Sequence, residues 1–179
     1  MMIDLKKINN TSLLEFKKLY ELYEQAFPEV ERRNYDILLE LVEKENLMNF
    51  SAIMFNQEIV GLLVFWNFED FIFVEHFAIF ENMRNTNLGS KTIEYFLDKH
   101  KGKNIVGEIE HPTNEINIRR KKFYQKYGFE VVDENYIQPT YSKYGNGIPL
   151  LLLAKEKMTK KEIENCKKII RKEVYKCEE

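Results

Sequence analysis

Between Met2 and Ile8 the apolar residues Ile3, Leu5 and Ile8 are mixed with Asp and Lys, a pattern that predicts a short strand at a sheet edge. Asn9, Asn10 and Thr11 interrupt it. Leu13, Leu14, Phe16, Leu19, Leu22 and Phe27 then recur at helical spacing, with Thr11 or Ser12 as the expected cap and Pro28 as the stop. Tyr35, Leu38, Leu39 and Leu41 share one face of a second helix over Asn34 to Lys44, opposite Glu40, Glu43 and Lys44.

The period then changes. Phe50 to Phe55 and Ile59 to Asn67 read as strands joined at Asn56-Gln57-Glu58, and Asp70 to Phe80 as another. Helical spacing returns over Leu88 to Lys101, with Leu88, Thr92, Ile93, Phe96 and Leu97 facing inward and Gly102 as the stop. Asn104 to Glu110 predicts a strand, Asn114 to Tyr127 a helix ending at Gly128, and Phe129 to Tyr136 and Ile148 to Lys155 the closing strands. Thr159 is placed to cap a charged terminal helix.

In order, the elements run β, α, α, β, β, β, α, β, α, β, β, α. This predicts an α/β fold: a mixed, mostly antiparallel central sheet flanked by helices, with an accessory C-terminal helix. Residues 1–155 are read as one domain and 156–179 as the charged helix.

Charge changes this picture only by exclusion. With 27 basic and 29 acidic side chains and a net charge of −2, no global field favours nucleic acid, so any phosphate site must be local. The longest apolar stretches, Ile59 to Trp66 and Ile148 to Ala154, fall far short of the roughly 20 residues that cross a bilayer. Met1 to Asn10 lacks the apolar core of a signal peptide, and the expected location is the cytoplasm. Cys166 and Cys177 read as free thiols. His76, His100 and His111 are too scattered to predict a metal site.

Candidate chemistry begins where the strand Phe73-Val74-Glu75-His76-Phe77-Ala78-Ile79 runs into Met83-Arg84-Asn85-Thr86-Asn87-Leu88-Gly89-Ser90 and the next helix. Free N–H groups at a helix N-terminus attract anions. Gly89 admits a phosphate without a Cβ in the way, Asn87 tolerates a left-handed backbone, and Arg84 adds charge. An ordinary polar turn is the alternative.

Arg84-Asn85-Thr86-Asn87-Leu88-Gly89-Ser90 resembles the acetyl-CoA signature of the GNAT N-acetyltransferase superfamily, Arg/Gln-x-x-Gly-x-Gly/Ala, with Asn87 in place of the first glycine. A second stretch, Asn117-Ile118-Arg119-Arg120-Lys121-Lys122-Phe123-Tyr124-Gln125-Lys126-Tyr127-Gly128-Phe129, resembles the family's other hallmark. Asn117 and Tyr124 lie seven residues, two helical turns, apart and so share a face.

The resemblance implies a GNAT-like acyl-CoA N-acyltransferase fold with acetyl-CoA as co-substrate and no metal. It further implies pyrophosphate at 84–90, pantetheine pairing with the backbone of Phe77, Ala78 and Ile79 between two splayed strands, Asn117 bonded to pantetheine, and Tyr124 as general acid toward the departing thiolate. A base must take a proton from the amine. Glu75, on the same strand face as Phe77, and Glu110, at the end of the neighbouring strand, are the candidates. The family's acceptor walls correspond here to Pro28 to Arg33 and Gln138 to Gly145, offering Glu31, Arg32, Tyr141 and Tyr144.

The expected function is transfer of an acetyl group to a primary amine of a small molecule or peptide by direct transfer in a ternary complex. The alternative is a non-catalytic acyl-CoA sensor on the same fold. The tail's stripe of Ile163, Ile169, Ile170 and Val174 either docks on the domain or pairs with a partner. A homodimer is among the expected assemblies.

Overall fold

The computed structural model describes residues 2–141 and 146–177. Its elements are β1 (Ile3–Lys7), α1 (Leu14–Ala26), α2 (Tyr35–Lys44), β2 (Met48–Phe55), β3 (Glu58–Asn67), β4 (Phe71–Ile79), α3 (Leu88–Lys99), β5 (Asn104–Glu110), α4 (Glu115–Lys126), β6 (Glu130–Gln138), β7 (Ile148–Ala154) and α5 (Lys160–Ile169). The strands follow the order β1-β2-β3-β4-β5-β7-β6, a mixed, mostly antiparallel sheet with β1 at one edge. Two compact units are distinguishable, the first within Met1–Glu69 and Val74–Lys103, the second within Asp70–Phe73 and Asn104–Glu179. Among the described residues, no helix is long and apolar enough to cross a membrane.

In the first unit β1, β2 and β3 form an antiparallel meander. Asn56 and Gln57 both adopt left-handed φ, 50° and 69°, which gives a two-residue hairpin the twist its strands need. Ile53 pairs with Gly61 but Met54 with Ile59, so Val60 is the extra residue of a bulge. β3 is buried from Val60 to Trp66; a strand covered on both faces reads as the unbroken apolar run seen in the sequence. Phe16, Leu19, Leu22 and Tyr23 of α1 and Leu38 and Val42 of α2 complete this core.

One expected cap does not form. α1 starts at Leu14 without a side-chain cap, because Ser12 Oγ donates to Asn10 Oδ1 at 2.7 Å and Thr11 Oγ1 donates to Glu43 of α2. These competing partners take the hydroxyls away from the helix end.

In the second unit β7 lies between β5 and β6, pairing Leu150 with Glu110 and with Tyr136. Asn114 caps α4, and Thr159 with Glu162 forms a reciprocal capping box on α5. After α5 the chain makes one π-helical turn, Ile170–Val174. Cys166, Ile170, Val174 and Tyr175 are buried, Lys167 Nζ meets Asp133 Oδ2 of β6 at 2.8 Å, and the Tyr175 hydroxyl donates to Glu108 of β5. The tail thus packs within the second unit, as one of its expected arrangements has it. Cys166 and Cys177 are free thiols, as expected.

Candidate active site

The turn that enters α3 belongs to the first unit. Asn85 and Asn87 have φ of 64° and 61°, and the Thr86 between them is not left-handed. Left-handed residues set in a turn in this way are the pattern from which anion-binding nests are built. Asn87 is the N-terminal boundary residue of α3 and makes no side-chain cap bond, so the first-turn N–H groups are left to partners outside the helix. Arg84 Nε donates to the Ile79 carbonyl at 3.2 Å and Thr86 Oγ1 to the Met83 carbonyl, tying the turn to the strand end. Leu88 anchors the turn in the core, while Gly89 and Ser90 are partly exposed.

On β4 the Glu75 side chain is only 1% exposed although the residue as a whole is more open; the accessible part is therefore main chain. Phe77 and Ile79 are partly exposed and Ala78 is buried. A Cβ at Gly61 would stand 2.3 Å from the Ala78 carbonyl oxygen, so only glycine fits beside this stretch of β4.

The Glu75 carboxylate forms a buried ion pair with Arg33 Nη1 and accepts from Trp66 Nε1 at 2.7 Å. His76 Nε2 lies 3.6 Å from Glu75 Oε1. Burial and the Arg33 charge hold the imidazole well below its usual range and hence neutral, between the rings of Tyr23 at 5.0 Å and Phe27 at 4.4 Å. Arg33 and Trp66 are the partners that sequence reasoning missed: nothing in the pattern separates Arg33 from Arg32, although the sole tryptophan ending an apolar strand was a signal.

Of the residues expected to wall the acceptor in this unit, Arg32 Nη1 meets Glu24 Oε1 at 3.0 Å, and Glu31 lies in a 3-10 turn, Glu29–Glu31, partly exposed.

The second unit carries Asn117, Tyr124 and Glu110. Asn117 Nδ2 donates to the His111 carbonyl at 3.3 Å, which aims the amide and leaves Oδ1 as the acceptor. Tyr124 packs edge-on against Phe123 and Phe129 at 5.4 and 5.6 Å. Burial pushes its phenol up to about 12; the nearby Arg120 opposes this shift and the Glu110 charge adds to it. Glu110 pairs with Arg120 of α4, their side chains 33% and 40% exposed. Tyr141 packs at a tilt against Tyr175, with ring centres 5.1 Å apart. Tyr144 lies outside the described residues.

A model of the acetyltransferase (GNAT) family matches residues 16–129. The structure is similar to that of a GNAT-family protein of Bacteroides thetaiotaomicron, with 28% identity, a TM-score of 0.91, and coverage of 98% of this chain and 99% of that one. It also resembles Arabidopsis thaliana Naa50 in complex with a bisubstrate analogue of CoA and a peptide, at 21% identity and TM-score 0.59, covering 88% and 100% of the two chains. A third similar structure is an Elizabethkingia anophelis acetyltransferase with acetyl-CoA bound, at 19% identity and TM-score 0.56, covering 87% and 98%. No curated protein matches the chain in sequence.

Proposed function

Since the chain belongs to the GNAT acetyltransferase family, we propose that it transfers an acetyl group from acetyl-CoA directly to a primary amine of a small molecule or peptide in a ternary complex. The observation that carries this reading is the nest before α3, where the left-handed Asn87 does the work of the family's glycine. The N–H groups of 84–90 would hold the pyrophosphate, with Arg84 contributing charge and Gly89 clearance. The accessible main chain at Glu75 and the partial exposure of Phe77 and Ile79 support pairing of pantetheine with Phe77, Ala78 and Ile79 in the manner of an added strand. The Asn117 Oδ1 accepts from a pantetheine amide.

In the reaction the neutral amine attacks the thioester carbonyl, the C–N bond forms, and the C–S bond breaks to release thiolate. Glu110, a third exposed, takes the amine proton through water; Glu75 is enclosed by Arg33 and Trp66 and is the less suited of the two. Tyr124 keeps its proton through neutral pH. Its acidity is below that of a thiol, about 8.5, so it serves the departing sulfur chiefly as a hydrogen-bond donor. Glu31, Arg32, Tyr141 and Tyr144 are assigned to the acceptor.

The test is free-thiol release from acetyl-CoA across a panel of primary amines. Amine-dependent release supports the reading. Acetyl-CoA binding without such release favours an acyl-CoA sensor instead, a second reading to which the pairing of both Glu75 and Glu110 with arginines lends weight.

A further inference from the structure

We infer that Glu75 is a positioning residue rather than a proton acceptor: with Arg33 it clamps the segment 28–34, which links α1 to α2, onto β4 and so sets how an acceptor amine is received. The clamp joins four elements of the first unit. The carboxylate of Glu75 spans Arg33 on one oxygen and Trp66 Nε1 on the other, 2.7 Å away. The Arg33 main-chain N–H donates to the Tyr23 hydroxyl of α1 at 3.0 Å, and its guanidinium lies 5.6 Å from the centre of the Trp66 ring. Arg33 and Glu75 side chains are 3% and 1% exposed.

A base must exchange protons with substrate or water, and a carboxylate 1% exposed and enclosed by a guanidinium and an indole N–H lacks that access. What the pair does have is fixed geometry. A planar guanidinium held between a carboxylate and an aromatic face allows little rotation. The clamp fixes Arg33 at the C-terminal end of the segment that carries Glu31 and Arg32. Neutral His76, packed between Tyr23 and Phe27, fills the space beside it without adding charge.

Its kinetic consequence rests on the acetyltransferase reading; its structural consequence does not. The experiment compares the full chain with Glu75→Gln, which keeps the shape and an oxygen for Trp66, and Arg33→Lys, which keeps the charge but loses the fork. Hydrogen exchange is followed at residues 28–34, and KM for the amine and kcat are measured separately over pH. Both variants are expected to speed exchange in 28–34 by about tenfold or more and to raise amine KM by a similar factor, with kcat within about threefold and its pH profile unmoved. Unchanged exchange in both folded variants overturns the clamp, whatever the activity. A Glu75→Gln enzyme that loses kcat and the profile's acidic limb, while Arg33→Lys does not, overturns it in favour of a base. If the wild-type chain releases no thiol with any amine, the acetyltransferase reading falls while the exchange result still decides the clamp.

Discussion

At Tyr124 two demands compete. Burial among aromatic rings raises its pKa to about 12, which secures the proton but weakens the group as an acid toward a thiolate. Tyr124→Phe is therefore expected to lower kcat by about 100-fold, the modest end for a group assisting proton transfer, with acetyl-CoA affinity within about twofold; unchanged turnover would remove the role. The sign of the shift also fixes a pH effect. A phenol whose folded pKa exceeds its ordinary value of about 10 stabilises the fold below that pH and loses this contribution as pH rises through about 12. Above about pH 10 the Tm of wild type should accordingly fall more steeply than that of the Tyr124→Phe chain.

With φ of 61°, Asn87→Gly should leave acetyl-CoA affinity within about threefold, whereas Asn87→Val, which resists this backbone, should weaken it by tenfold or more. Calorimetric titration of both variants checks this. The left-handed turn was legible in the sequence because asparagine is the usual non-glycine residue there. The enclosure of Glu75 was not, since strand alternation gives a face but not a partner that lies 42 residues away in the chain.

Among the elements, β3 and β4 show how a single glycine can constrain a strand. Gly61→Ala would drive a methyl against the Ala78 carbonyl, and overpacking of this kind costs about 1–3 kcal/mol. A Tm lower by several degrees and weaker acetyl-CoA binding are expected; a variant with wild-type Tm and affinity would show that β4 moves aside freely. Element identities followed from hydrophobic period almost throughout, and the cap at Thr159 from local spacing; Asn34 and Asn114, read as the first residues of their helices, are the caps of α2 and α4. The cap of α1 was misread because Glu43, a partner from a different helix, claims Thr11.

For the molecule as a whole, the charged tail is part of the second unit's packing. Cys166, Ile170, Val174 and Tyr175 are buried, and the sequence foretold only part of this stripe because lysines and glutamates dominate the segment. Ending the chain after Lys157 would expose that surface and strip Glu108 and Asp133 of their tail partners. The shortened chain should lose several degrees in Tm or fail to stay in solution; an unchanged Tm would show that the tail adds nothing to stability.

The central claim is that the nest before α3 receives the pyrophosphate of acetyl-CoA, and calorimetric titration of acetyl-CoA into wild type and Gly89→Val tests it most directly. Wild type is expected to bind saturably, and a folded Gly89→Val chain to lose about tenfold or more in affinity. No binding by wild type, or equal binding by both, would contradict it.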